Sequence, residues 1–135
     1  MPYWKCFYHV IWATKHREPI IEPVYESVIF ATIQRKAERF KSVLYAVNGV
    51  NDHIHIVASI PPSIAIATWV GEIKGASARA VNTSFELEAL FRWQAGYGVL
   101  TFGEKHLQFV IDYVNQQKDH HSNQKTIDRM EHIDE

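Results

Sequence analysis

Two histidines separated by a single isoleucine, His53-Ile54-His55, follow a turn-forming Asn51-Asp52 pair in the 135-residue sequence. If this stretch is a strand, alternation sends both imidazoles to one face while Ile54 and Ile56 point to the other. Two neutral imidazoles side by side on a rigid element can bind a divalent cation. Taken alone, the same pair also fits polar residues on the solvated face of a half-buried sheet. A second candidate lies near the C-terminus. At about 100° per residue, Leu107, Val110, Ile111 and Val114 form an apolar stripe that should face the sheet. Beside it run His106, Phe109, Tyr113, Gln117 and His120, with Tyr113 and Gln117 one helical turn apart. Alone, Tyr113 reads equally as an aromatic at the edge of a core, and Gln117 as a solvated helix residue.

Together the two elements suggest more. Two imidazoles and an amide oxygen suit Mg²⁺ or Mn²⁺, with positions left open for phosphate oxygens. A free phenol has a pKa of about 10 and is a poor nucleophile near neutrality. A neighbouring cation would favour its ionised form and offset charge gathering on phosphoryl oxygens. Covalent capture of a phosphate on Tyr113 would conserve the energy of the broken bond, so a strand could be rejoined without ATP.

These side chains need a scaffold. Residues 3–13 alternate and are rich in aromatic and β-branched types, as a strand requires, and Lys15 to Pro19 form a loop. Residues 22–40 show a helical period with basic residues at its end. Val43–Val50 and Ile54–Ile60 read as a hairpin across the Gly49–Asp52 turn. Pro61-Pro62-Ser63 ends that hairpin and starts a helix running to about Val81. Tyr97–Phe102 reads as a fourth strand, and a last helix begins near Lys105 and fades around His121. The order β-α-β-β-α-β-α predicts an α+β fold: a ferredoxin-like antiparallel sheet with helices on one face, plus a C-terminal helix carrying the tyrosine.

Composition sets outer bounds. The length suits one domain, read as residues 1–122, followed by a polar, partly acidic tail at 123–135. The single Cys6 excludes an internal disulfide or a Cys-based metal cluster. No apolar run reaches membrane-spanning length, and no secretory signal opens the chain, so a cytoplasmic location without membrane attachment is expected. The formal charge of −1 does not advertise a nucleic-acid binder. Without the acid-rich residues 128–135 the chain carries 13 basic and 11 acidic residues, a formal +2.

Longer motifs give a family resemblance. YHVIWATKHREPII at 8–21, NDHIHIVASIPP at 51–62, IKGASAR at 73–79 and WQAGYGVLTFGEKHLQFVIDYVNQQKDHH at 93–121 span nearly the whole chain. They resemble the single-tyrosine His-hydrophobe-His (HUH) transposases of bacterial insertion sequences, including the REP-associated tyrosine transposases. The resemblance implies that His53, His55 and Gln117 hold a divalent metal, Mg²⁺ or Mn²⁺, and that Tyr113 is the nucleophile that becomes linked to a DNA 5′-phosphate. It implies single-stranded or hairpin DNA as partner, and a homodimer whose tyrosine helix can act in trans. Lys15, Arg17, Lys74 and Arg79 are the candidate DNA contacts. A domesticated nickase and a non-catalytic dimer that binds hairpin nucleic acid are the alternatives. His9, His120 and His121 find no role at this level, and Trp12 and Trp93 read as core.

Overall fold

A computed structural model describes residues 3–122 and 126–133. Four strands, β1 (Phe7–Ala13), β2 (Val43–Gly49), β3 (His53–Ser59) and β4 (Gly98–Phe102), form one sheet in the order β2-β3-β1-β4. Every neighbouring pair is antiparallel. Helices α1 (Pro23–Arg39) and α2 (Ile66–Ser84) cover one face. Helix α3 (Leu107–Asn115) packs on the other, followed by α4 (Gln117–Ser122) and a short α5 (Asp128–Glu131). The α+β architecture agrees with the pattern of the sequence.

Alternation in the two central strands assigns the residues to faces. On the α1/α2 side, Val10 and Trp12 of β1 and Ile54, Ile56 and Ala58 of β3 pack against Ile29, Ile33, Trp69, Val70 and Ile73. The few polar atoms there are largely matched: the Trp69 indole donates to Ser42 Oγ at 2.9 Å and the Trp93 indole to Ser77 Oγ at 3.0 Å. Trp12 and Trp93 meet edge to face within this core, as their sequence context suggested. On the opposite side a smaller apolar cluster, Ala46, Val57, Val110, Val114 and Met130, surrounds a polar centre.

The last helix departs from expectation. It is read in sequence as one element from about Lys105 to His121, but it breaks at Gln116, whose φ of −103° and ψ of 20° leave the helical region. At the break the Asn48 amide donates to the Asn115 carbonyl at 3.0 Å. Lys118 then fastens α4 to the start of α1 and to the end of β2, donating to Glu26, to Asn48 Oδ1 at 2.8 Å and to the Gly49 carbonyl at 3.1 Å. These contacts come from distant parts of the chain, so local periodicity does not show them. Residues 126–133 fold back over the same face, with Met130 buried in its apolar cluster.

Candidate metal centre and nucleophile

Strand β3 starts at His53, so the turn delivers both histidines onto the face beneath α3. Neither is solvated: His53 is 1% exposed and His55 0%. Burial makes each ring nitrogen's partner matter. His53 Nδ1 donates to Asp52 Oδ1 at 2.6 Å, and His55 Nδ1 lies 2.7 Å from Nε2 of His9 on β1. Both Nδ1 atoms are thus held from behind, and both Nε2 atoms face the same point. Partners of this kind fix ring orientation in metal-binding histidines.

His9 is a residue whose role sequence reasoning missed. Its ring stacks on that of His55 with centroids 5.0 Å apart, and its Nδ1 has no hydrogen-bond partner among the described residues. Burial, and then repulsion from His55, push its pKa down to about 3, so it is neutral. Burial likewise takes His55 down to about 4. A neutral His9–His55 pair can shift its tautomers together. In one state His9 Nε2–H donates to His55 Nδ1; in the other His55 Nδ1–H donates to His9, baring the His55 Nε2 lone pair for a cation. The sequence signal for His9 was its even spacing from Phe7 and Ile11 on β1, which puts it on the His53/His55 face once strand pairing is known.

Tyr113 and Gln117 reach the same point. Tyr113 is 4% exposed and Gln117 0%, whereas Phe109, assigned to the same stripe by helical spacing, is 58% exposed. The His55 and Tyr113 ring centroids lie 6.1 Å apart. Gln117 Oε1 accepts from His121 Nε2 at 3.0 Å. All four expected residues, His53, His55, Tyr113 and Gln117, therefore converge within one chain.

Two further residues join them. His53, His55, His121 and Glu131 each present a ligand atom within 4.8 Å of the others. Glu131 Oε1 lies 3.2 Å from His53 Nε2, 3.1 Å from His55 Nε2 and 3.2 Å from His121 Nε2. Its other oxygen accepts from the Tyr113 hydroxyl and, at 3.2 Å, from Gln117 Nε2. Burial alone would raise the Glu131 pKa, but hydrogen bonds from His53 and His55 outweigh it and hold the carboxyl far below the usual range. Burial would lower the His53 pKa, yet its bonds to Asp52 and Glu131 raise it. Tyr113 is pushed up to about 12, first by burial and then by the bond it donates to Glu131. The donor set of imidazole nitrogens, an amide oxygen and a carboxylate suits a divalent cation of the Mg²⁺ or Mn²⁺ type.

The four basic residues singled out in the sequence are not together. Arg17 stands at the site: its Nε lies 3.5 Å from Asp52 Oδ2, and it lines a cleft of about 610 Å³ with Asp52, His53, Lys118 and His121. His16 and Arg17 both have positive φ, 59° and 53°, in the turn after β1, which is a costly backbone for non-glycine residues. Lys15 is exposed on that turn. Arg79 lines a groove between α1 and α2 with Arg35, Lys36 and Arg39, on the far side of the sheet. Lys74 is only 9% exposed and donates to the carbonyls of Gln94 at 2.6 Å and Gly96 at 3.0 Å. Its ammonium ties the segment before β4 to α2, and burial lowers its pKa.

Residues 2–117 match the family model described as "Transposase IS200 like". The chain belongs to the IS200-like transposase family. The transposase of insertion sequence IS200 from Salmonella typhimurium is 30% identical over 120 residues, covering 84% of this chain and 78% of that protein. The ISDra2 transposase TnpA from Deinococcus radiodurans is 26% identical over 117 residues, covering 83% of this chain and 84% of the relative. Among solved structures, a Deinococcus radiodurans protein described as a transposase superimposes with a TM-score of 0.69 at 26% identity, over 86% of this chain and 93% of the other. A REP-associated tyrosine transposase bound to a REP hairpin gives a TM-score of 0.68 at 15% identity, over 90% of this chain and 72% of the other, and so shares the fold. For this IS200-like chain the family match stops at Gln117, so His121 and Glu131 lie beyond it. No helix among the described residues is long and apolar enough to cross a membrane.

Proposed function

We propose that this IS200-like transposase cleaves and rejoins single-stranded DNA at hairpin-bearing ends through a 5′-phosphotyrosine on Tyr113. The observation that carries the reading is the convergence of His53, His55 and Gln117 on one point beside the Tyr113 hydroxyl. A cation bound by His53 Nε2, His55 Nε2 and Gln117 Oε1 would supply positive charge for the phosphoryl oxygens and the phenolate.

The chain's own groups then divide the work. Asp52 and His9 fix the two imidazoles from behind. The Tyr113 oxygen forms a bond to phosphorus, the P–O3′ bond breaks, and the departing 3′-oxygen takes up the proton as a free 3′-hydroxyl. Attack by another 3′-hydroxyl on the phosphotyrosine reverses the step and joins the strands, returning the proton to Tyr113. Lys15 and Arg17 contact phosphates of the strand at the site, Arg79 on the far side of the sheet contacts a separate part of a bound hairpin, and Lys74 holds the segment leading into β4. Cis assembly is supported by the Tyr113 ring lying 6.1 Å from that of His55 in the same chain, and a homodimer acting in trans is the alternative that the mixing experiment below separates from it.

Incubation with a labelled single-stranded hairpin oligonucleotide and Mn²⁺ tests this. A protein-linked product with wild type and none with Tyr113→Phe is expected. Binding without any linked product would favour a non-catalytic hairpin-binding protein. Mixing Tyr113→Phe with His55→Ala protein tests cis assembly: recovery of the linked product would show that a homodimer exchanges its tyrosine helices, and no recovery is expected.

A further inference from the structure

We propose that Glu131 is an internal carboxylate ligand that occupies the target phosphate's place at rest, closing the cation site and holding Tyr113 until a DNA strand displaces it. One carboxylate spans the whole centre. One of its oxygens is shared by three imidazole Nε2 atoms at 3.1 to 3.2 Å, and the other is held by the Tyr113 hydroxyl and the Gln117 amide. A phosphate poised for attack by Tyr113 must offer oxygens to the same cluster and present phosphorus to the same hydroxyl. Carboxylate and phosphate are both hard oxygen anions with similar appetite for such a cation. They therefore compete for one place.

The contact does not depend on Glu131 alone. The segment around it is fitted to the domain at three further points. Met130 is 5% exposed, inside the apolar cluster of this face. The backbone N–H of Ile127 donates to the Tyr113 hydroxyl at 2.9 Å. At Gly98 a Cβ would run into the His132 carbonyl oxygen, so β4 leaves room for this backbone to lie against it. A carboxylate brought in by a docked segment adds anionic character to the resting cation site and blocks the nucleophile in the same act. The segment lies outside the family match, which ends at Gln117.

The place of the phosphate is taken from the strand-transfer reading, so the test includes readouts that need no chemistry. Full-length wild type and Glu131→Gln are compared by calorimetric titration with Mn²⁺, and by binding of a fluorescent single-stranded oligonucleotide to the Mn²⁺-loaded proteins. Removing the charge is expected to weaken Mn²⁺ binding about 10-fold or more and to tighten Mn²⁺-dependent oligonucleotide binding several-fold. At saturating Mn²⁺ the linked product should form faster. Gly98→Ala, which disturbs docking while keeping the carboxylate, should shift all three the same way. Unchanged Mn²⁺ and oligonucleotide affinities in Glu131→Gln would overturn the proposal. So would weaker Mn²⁺ binding with slower product formation at saturation, which would make Glu131 a ligand needed for the reaction. If both binding shifts appear but neither protein ever forms a linked product, the internal ligand stands and the strand-transfer reading falls.

Discussion

The two faces of the sheet are built from the same strands and do opposite work. On the α1/α2 side, Val10, Trp12, Ile54 and Ile56 are fully buried in an apolar core whose buried polar groups are largely matched. On the α3 side the alternate residues of those strands, His9, His53 and His55, are equally buried, yet they form a chain of partly matched imidazoles ending at an acidic oxygen. Burying apolar surface stabilises a fold without regard to direction. Burying titratable groups costs stability unless each finds a partner, but it preorganises them and shifts their chemistry. Stability is thus drawn from one face and the proposed chemistry is assigned to the other, and a single residue step along β3 separates the two.

This contrast makes graded predictions. The largest effect should come from Tyr113→Phe, which removes one hydroxyl. Formation of the protein–DNA product should cease altogether, while oligonucleotide affinity stays within about threefold of wild type, since the phosphate and cation contacts remain. His55→Ala should weaken Mn²⁺ binding by at least about 100-fold, given that even supporting residues of metal sites are worth about 10–100-fold. Its cost in denaturant-measured stability should be only about 1–3 kcal/mol, because His9 is left without its partner. Ile56→Ala, one residue along and pointing the other way, should invert that result. Loss of a fully buried isoleucine is expected to cost about 2–5 kcal/mol while Mn²⁺ affinity of the folded fraction is unchanged. If the two variants behaved alike, the division between faces would be broken.

A pH series sharpens the same contrast. His9 has an ordinary histidine pKa near 6.5 in the unfolded chain and about 3 in the fold. The unfolded chain therefore binds the extra proton first, and wild type loses stability as pH falls from about 6.5 towards 3. A His9→Gln protein lacks that proton, so its stability relative to wild type should improve steadily as pH falls across this window in urea denaturation. A pH-independent difference would show that His9 is not buried as the neutral ring. The smallest effects belong to the surface. Arg17→Ala and Arg79→Ala should each lower DNA affinity a few-fold and reduce the salt slope by about 1, leaving the cleavage position unchanged in a gel assay.

The parts of the site that were legible in sequence are those set by local periodicity. Alternation puts His53 and His55 on one face, and four-residue spacing puts Tyr113 near Gln117. The fold class followed from the same patterns and from the turn residues between them. What stayed hidden depends on pairing between distant segments. His9 meets His55 only because β1 and β3 pair antiparallel with Ile11 opposite His55. The helix break after Asn115 coincides with a bond from the Asn48 side chain, 67 residues before it, to the Asn115 carbonyl. Lys74 reads as surface on a helix until the carbonyls of Gln94 and Gly96 close around it. Glu131 sits in a short acidic stretch that composition alone assigns to solvent, and the burial of its neighbour Met130 is what brings it in.

Whether one ion is shared by the sheet and the last helices is measured most directly by anomalous diffraction from crystals grown with Mn²⁺. A single strong peak within coordination distance of His53 Nε2, His55 Nε2 and Gln117 Oε1, on the side facing the Tyr113 hydroxyl, is expected. A peak away from those three atoms, or none at full Mn²⁺ loading, would contradict the shared centre and leave the histidines as a buried polar network.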